Sequence, residues 1–219
     1  MIQRIDENIK DLKIGLMGFR KDCFIHALKN HNLTYHIIND LSDIDESFHF
    51  VVESGVYDII PEEYLSKPKY GIIGIHETPI PEGKGHAPLQ WAVLNGRKNI
   101  TVSLYKLAKK VDAGQIIYQH NMEINDIDTY RELEINRLAG ISICFDKFLE
   151  ELKEGVMVLR EQSGFESYHQ KRSPKDSEIS SLVPFWDRIR ICDNEKYPAH
   201  FYIGNSKVIL RYEVENDNS

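Results

Sequence analysis

His76 and Asp112 are the residues of this chain whose types and positions best suit acid–base chemistry. His76 ends the apolar run Gly74-Ile75-His76, and Asp112 stands in the short segment Val111-Asp112-Ala113-Gly114. An imidazole, with an ordinary pKa of about 6.5, can donate a proton to a developing negative charge near neutral pH. A carboxylate can orient and charge that imidazole, or accept a proton itself. The pair is therefore the candidate catalytic centre.

The segment after His76 has the composition of a ligand-binding loop. It reads Glu77-Thr78-Pro79-Ile80-Pro81-Glu82-Gly83-Lys84-Gly85-His86-Ala87-Pro88. Proline fixes φ and glycine adopts φ values that other residues avoid, so Pro79 and Pro81 together with Gly83 and Gly85 hold this loop open. Its histidines and glutamates match no zinc-ligand spacing, so we expect no metal.

Apolar runs alternate with helical patterns along the chain, which favours an α/β sheet. Strands are predicted at residues 13–19, 34–38, 48–52 and 70–75, and helices at 22–28 and 61–65. His76 then stands at the carboxyl end of a strand, where open α/β sheets bind their ligands.

A predicted hairpin positions Asp112. Strands at residues 101–107 and 115–124 place Asp112 on the loop between them, after a helix at 87–95. Thr129 and Glu132 have capping-box spacing and begin a helix whose apolar period continues to Gly155. Residues 168–177 are polar and indicate a boundary, followed by a helix at 185–191 and strands at 199–203 and 207–212.

These motifs resemble the N10-formyltetrahydrofolate-dependent formyltransferases. That family's signature is Asn-x-His, a Ser/Thr-Leu-Leu-Pro loop, Gly-x-Ala-Pro and a later Asp-x-Gly. The corresponding segments here are Gly74-Ile75-His76, Thr78-Pro79-Ile80-Pro81, Gly85-His86-Ala87-Pro88 and Asp112-Ala113-Gly114. The resemblance implies a Rossmann-like catalytic domain with a mostly parallel sheet over residues 1–160. It also implies a short extension with a β-hairpin over 161–219, completing the substrate site and contributing to a dimer interface.

The resemblance also assigns binding segments. The spacing from Gly55 to His76 equals that of the glycinamide ribonucleotide member. This likeness implies that the donor N10-formyltetrahydrofolate contacts the segment Tyr57, Asp58, Ile59 and Ile60. The resemblance also implies a contact with Val111, the residue before Asp112. The tail at residues 172–176, 189–190 and 197–201 is similar to the tRNA and sugar-nucleotide members. The tRNA member carries a further C-terminal barrel, which we do not expect after residue 208. The sugar N-formyltransferase branch is therefore favoured.

One position departs from the signature, because the family's asparagine is replaced by Gly74. In the family, His76 and that asparagine would both donate hydrogen bonds to the oxyanion of formyl transfer, and Asp112 would take the ammonium proton. Loss of one such donor costs about 10²- to 10³-fold in rate. We expect His86 to replace it as a catalytic residue, with Thr78, a backbone amide or a bound water as alternatives.

The expected reaction is formyl transfer to the amine of a nucleotide-linked amino deoxysugar, in surface polysaccharide (lipopolysaccharide) biosynthesis, by a homodimer. Expected acceptor contacts are Thr78, Lys84, Gly85 and Arg190, with Lys84 suited to a phosphate. Two alternatives remain. One is transfer to another small amine, as in the glycinamide ribonucleotide member, and the other is a folate- or nucleotide-binding protein that has lost catalysis.

Composition limits the partners. The 219 residues carry a formal net charge of −7, which argues against a nucleic-acid partner. The three cysteines are far apart, so neither a disulfide framework nor a zinc site is expected. An acidic N-terminus and the lack of a run of roughly 18 apolar residues argue against a signal peptide and a membrane span. We therefore expect a cytoplasmic protein.

Overall fold

In the computed structural model, which describes residues 1–56 and 59–215, a six-stranded sheet organises most of the chain. Contacts divide the chain into two units. The first comprises residues 1–124 and 128–171, and the second comprises residues 125–127 and the chain from 172 onward.

The strands of the first unit are β1 (Ile2–Arg4), β2 (Ile14–Met17), β3 (Tyr35–Ile37), β4 (Phe50–Glu53), β5 (Ile72–His76), β6 (Lys84–Gly85), β7 (Asn99–Lys106), β8 (Ile116–Glu123), β9 (Val156–Val158) and β10 (Tyr168–His169). Its helices are α1 (Asp22–Asn30), α2 (Glu62–Leu65), α3 (Pro88–Leu94) and α4 (Tyr130–Lys153). The central sheet has the order β3-β2-β4-β5-β7-β8. The pairings among β2, β3, β4 and β5 are parallel, and β7 and β8 are antiparallel to their neighbours. The predicted α/β fold with a mostly parallel sheet is confirmed.

Both faces of this sheet are covered, so the central strands are buried along their whole length and apolar except for Glu53 and His76 at the ends of β4 and β5. All residues of β2, β4 and β5 are buried. On one face, α1 and α4 pack together, with the rings of Phe24 and Phe145 4.8 Å apart. Phe148 of α4 meets Phe50 of β4 edge-on at 5.5 Å. Within the described residues no helix, including the long α4, is apolar enough over sufficient length to cross a bilayer.

The larger predicted elements occur with ends shifted by a few residues. One shift matters for the site, because the strand predicted at residues 48–52 runs instead from Phe50 to Glu53 and therefore ends in an acid. The chain divides between residues 171 and 172, inside the stretch 168–177 that was predicted as a boundary without an element, but the first residues of that stretch do form an element. Tyr168 and His169 form β10 and pair in parallel with Lys84 and Gly85 of β6. A strand of two residues is too short to show a hydrophobic period, so the pairing of β6 with β10 cannot be predicted from the sequence pattern.

The second unit contains a short helix and a hairpin. Helix α5 spans Trp186–Arg190, and β11 (Ala199–Ile203) pairs antiparallel with β12 (Ser206–Leu210). The Trp186 ring meets the Tyr212 ring edge-on at 5.5 Å, and the Tyr212 hydroxyl donates to the Arg190 carbonyl at 2.9 Å. The predicted helix and hairpin are confirmed.

Candidate active site

Polar side chains gather on one face of the sheet where β4 and β5 end. Gly74 pairs with Tyr105 of β7, and His76 pairs with Ser103. Val52 pairs with Ile73, so the next residues along these parallel strands, Glu53 and Gly74, are also neighbours. Residues opposite each other, and residues two apart on one strand, share a face. Glu53, Tyr105 and His76 therefore project from the same side of the sheet.

His76 is buried, at 7% exposure, and its ring is held on both sides. Nε2 lies 3.0 Å from the carbonyl oxygen of Gly83, which can only accept, so Nε2 carries a hydrogen. Nδ1 lies 3.8 Å from Oδ2 of Asp112. This distance is longer than a hydrogen bond, but it places the two side chains side by side, as the sequence predicted for the catalytic pair.

Asp112 lies on the turn between β7 and β8, in the left-handed backbone region with φ of 50°. The Tyr105 hydroxyl donates to its Oδ1 at 2.7 Å, and the Gly85 amide donates to its Oδ2 at 2.9 Å. Gln162 donates to the Asp112 carbonyl oxygen at 2.8 Å. Burial and the neighbouring Asp112 charge hold the pKa of Tyr105 well above its ordinary range, so Tyr105 stays a donor. The carboxylate is thus held in one orientation.

Glu53 is a third member of this site that the sequence reasoning missed. Its side chain is buried, at 8% exposure, and its Oε2 accepts a long hydrogen bond, 3.4 Å, from the Val56 amide. Burial, followed by the negative charges of Asp112 and Glu77, raises the pKa of Glu53 to about 8. The sequence does carry a signal for Glu53, because it follows the apolar run Phe50-Val51-Val52. A polar residue at the end of an apolar strand is also the pattern that indicates His76.

The loop after His76 is tied to β10 and its neighbours. Lys84 is buried and its ammonium contacts Glu166 at 2.7 Å. Lys84, followed by Lys110 and Tyr168, lowers the pKa of Glu166 to about 2. The ammonium expected to meet a substrate phosphate is therefore already paired. Gly85 reaches the site through its amide, which holds Asp112.

Thr78 and His169 contribute polar atoms to a cleft beside α3 that Gly83 and Pro88 also line. Thr78 Oγ1 and His169 Nδ1 are buried, and neither has a hydrogen-bond partner among the described residues. Burial, and then the positive charge of His76, lowers the pKa of His169. This cleft lies next to His76, because Gly83, whose carbonyl oxygen contacts the His76 ring, is among its lining residues.

His86, expected to replace the missing donor, is exposed. Its backbone amide bonds the His169 carbonyl oxygen at 3.2 Å, and no contact joins its ring to His76 or Asp112 within the described residues. Its catalytic role stays a prediction.

Behind the site, Arg137 anchors the residue that follows His76. Arg137 of α4 is buried, and its guanidinium lies 3.8 Å from buried Glu77 and pairs with Glu134. Sequence reasoning missed this contact, because nothing in the pattern of α4 marks Arg137 as facing inward.

The remaining expected contacts are partly described. Ile59 is 71% and Val111 is 41% exposed, and Ile60 packs against a small apolar cluster that includes Met17 and Ile72. Tyr57 and Asp58 lie outside the described residues. Arg190 lies in the second unit, where it pairs with Asp187 at 2.6 Å.

The segment carrying this site matches a known family. Residues 41–141 match the sequence profile of the Formyl transferase family. Methionyl-tRNA formyltransferase of Thermodesulfovibrio yellowstonii is 30% identical over 169 residues, which are 77% of this chain and 53% of that protein. The bifunctional polymyxin resistance protein ArnA of Wigglesworthia glossinidia brevipalpis is 30% identical over 156 residues, 69% of this chain and 24% of that protein. The chain thus spans about half or less of these relatives.

Solved structures share the fold. The formyltransferase PseJ of Anoxybacillus kamchatkensis, solved with UDP-4,6-dideoxy-4-formamido-L-AltNAc and tetrahydrofolate, superimposes with a TM-score of 0.63 at 24% identity over 80% of this chain and 94% of that one. An N-formyltransferase of Helicobacter canadensis, solved with folinic acid and dTDP-3-aminofucose, gives 0.60 at 20% identity over 74% of this chain and 71% of that one. The chain therefore has the Rossmann-like fold of the formyltransferases, and its residues 41–141 carry that family's sequence pattern.

Proposed function

We propose that this chain is an enzyme that transfers a formyl group from N10-formyltetrahydrofolate to a primary amine. The observation that carries the proposal is the buried, adjacent pair of His76 and Asp112 at the carboxyl edge of the sheet. Both residues lie within the segment that matches the Formyl transferase profile.

The chemistry follows from what each side chain can do. The bound donor supplies an activated formyl carbon, to which the amine nitrogen bonds as the bond to N10 breaks. Asp112, held as an acceptor by Tyr105 and Gly85, takes the proton that the amine loses, and that proton passes to N10 as tetrahydrofolate leaves. His76 donates from Nε2 to the Gly83 carbonyl oxygen in this structure. During transfer the formyl oxygen would take the place of that carbonyl oxygen, so that the Nε2 hydrogen stabilises its negative charge.

The residues assigned to the donor are compatible with a folate ring. Ile59 and Val111 leave much of their apolar surface in solvent, and Ile60 backs onto an apolar cluster. Binding sites for flat, partly apolar ligands use such walls together with a few polar groups.

For the acceptor we propose a nucleotide-linked amino sugar used in surface polysaccharide biosynthesis. The net charge of −7 disfavours a long polyanion. The Anoxybacillus and Helicobacter proteins of the same fold were solved with sugar nucleotides.

Transfer to methionyl-tRNA is the second candidate, because a methionyl-tRNA formyltransferase is among the relatives at 30% identity. Gly74, which lacks the family's second donor, favours a third possibility, a folate-binding protein without catalysis. We further propose a homodimer in the cytoplasm, where the three free thiols would stay reduced.

A substrate panel distinguishes these functions. Purified protein would be incubated with the formyl donor and, separately, with UDP- and dTDP-linked amino sugars, glycinamide ribonucleotide and methionyl-tRNA, and products detected by mass spectrometry. We expect a mass gain of one formyl group on an amino-sugar nucleotide. Formylated tRNA at a comparable rate would contradict the acceptor, and donor binding without any transfer would favour the binding protein.

Variants at the catalytic pair provide the control. His76→Ala and Asp112→Asn should each lower the rate at least 10²-fold, because each removes a group that acts on the reacting atoms. Circular dichroism should match the wild type. Full turnover in either variant would remove that residue from the mechanism.

A further inference from the structure

The carboxyl group of Glu53, at the end of a flexible side chain, occupies the space in which a side chain at residue 74 would begin. A Cβ atom added to Gly74 would lie 2.8 Å from Oε1 of Glu53, 3.0 Å from Cδ2 of Leu107 and 3.2 Å from Cε1 of Tyr105. Real Cβ atoms essentially never approach another heavy atom within 3.0 Å. The carboxyl group of Glu53 therefore lies where a residue 74 side chain would begin.

Glu53 reaches this position from the neighbouring strand and shares the face of the catalytic pair. Glu53 and Gly74 are adjacent along the β4–β5 pairing, and His76 is two residues beyond Gly74. Tyr105, opposite Gly74, bonds Asp112. The Glu53 side chain therefore occupies the same part of the site that a side chain at residue 74 would occupy.

The charges around Glu53 favour its neutral form. Asp112 and Glu77 face it with negative charge and Arg20 with positive charge, but burial has the largest effect, and together they raise the pKa to about 8. A neutral carboxyl group has one O–H donor. Oε2 accepts from Val56, and no described residue donates to Oε1, so the proton is best placed on Oε1, the atom over Gly74.

We propose that Glu53 donates a hydrogen bond from the space above Gly74 to the formyl oxygen during transfer. This inference rests on the proposed formyl transfer and adds to it the second donor beside His76. In this arrangement Glu53 of β4 supplies the hydrogen-bond donor that a side chain at residue 74 of β5 would supply in the family. The glycine at residue 74 leaves room for the Glu53 carboxyl group.

Four variants test the proposal through turnover. Glu53→Leu should lower kcat by roughly 10²-fold with little change in the KM for the donor, because an oxyanion donor acts mainly in the transition state. Glu53→Gln keeps an N–H donor and should stay within about tenfold of the wild type. Gly74→Asn alone should be impaired by the contact with Glu53. The pair Glu53→Ala and Gly74→Asn should recover much of the kcat that Glu53→Leu loses.

The pH profile separates a donor from a merely structural carboxyl. Wild-type kcat should fall as pH rises through about 8, where Glu53 loses its proton. Glu53→Gln should lack that fall. If Glu53→Leu stays within threefold of the wild type, or if Glu53→Gln keeps the alkaline fall, the proposal is wrong.

A measurement without turnover uses N10-formyltetrahydrofolate labelled with ¹³C in the formyl group. A hydrogen bond lowers the carbonyl stretching frequency, so the bound donor should absorb lower in the wild type and in Glu53→Gln than in Glu53→Leu. An equal frequency in all three would overturn the proposal even if the enzyme is active. If the wild-type protein binds the donor but transfers formyl to no acceptor, the proposed function is wrong. If it does not bind the donor, both the proposed function and the proposed role of Glu53 are wrong.

Discussion

At the residue scale, two acids of the site have different surroundings. Asp112 receives hydrogen bonds from Tyr105 and the Gly85 amide, which suit a carboxylate. Glu53 is buried beside that charge, and its pKa is raised to about 8. Burial therefore favours the protonated form of Glu53, which can donate a hydrogen bond.

The Glu53 titration predicts how stability depends on pH. Its pKa is about 8 in the folded protein against an ordinary 4.5, so the folded state binds more protons between these values. The stability it contributes is full below pH 4.5 and is lost as pH rises through about 8. At roughly 1.4 kcal/mol per pKa unit, the loss amounts to a few kcal/mol.

Glu53→Gln removes this titration, so its melting temperature should rise relative to the wild type between pH 5 and about 9. Glu63→Gln, at an exposed position of α2, is the matched control and should follow the wild type. Differential scanning calorimetry across that pH range makes the comparison. A constant difference between Glu53→Gln and the wild type would show that Glu53 does not titrate as described.

At the element scale, the turn between β7 and β8 positions Asp112. Lys106 donates its amide to the Gln115 carbonyl oxygen at 2.9 Å, and Gln162 donates to the carbonyl oxygens of Asp112 and Gly114, each at 2.8 Å. A Cβ atom added to Gly114 would lie 1.6 Å from the Lys106 carbonyl oxygen. The two arms of this turn therefore approach as closely as they do only because residue 114 is glycine.

Gly114→Ala should force the backbone of this turn apart and displace Asp112. We expect a loss of at least 2 kcal/mol in unfolding free energy, on the order of the larger single-mutant effects, and at least a tenfold loss of activity. Gly96→Ala is the control, since its Cβ meets nothing within 4 Å and only the strain of a φ of 68° remains. That strain costs roughly 1 kcal/mol. Equal effects in urea unfolding would contradict the account.

At the scale of the whole molecule, the two units differ in how much core they have. Every buried apolar residue found among the described residues belongs to the first unit, including Phe24, Phe50 and Phe148. Between residues 172 and 215 no described residue is buried, and large side chains such as Ile191 and Tyr197 are mostly exposed. Hydrophobic burial, the main source of folding free energy, is concentrated in the first unit.

A chain of residues 1–171 should therefore fold alone. Its melting temperature should lie within a few degrees of the full chain, whereas an isolated 172–219 segment should give the circular dichroism spectrum of an unfolded peptide. Both measurements use purified fragments beside the intact chain. Loss of cooperative melting in the 1–171 fragment would show that its stability depends on the remaining residues.

The sequence by itself determined the fold class, the strand that carries His76, the hairpin loop that carries Asp112 and the long helix α4. These depend on local periods and caps, which a single sequence displays directly. The family resemblance also drew attention to Gly74 as a missing donor.

Only the tertiary structure decided what surrounds those residues. Register between separate strands brings Glu53 beside Gly74, and chain folding brings Tyr105 and Gly85 onto Asp112, Glu166 onto Lys84, and Arg137 onto Glu77. Such contacts join residues far apart in the chain, or depend on which way one side chain turns, so no spacing rule contains them. Burial then sets the protonation of Glu53, because the charged form of an acid is disfavoured where water is excluded.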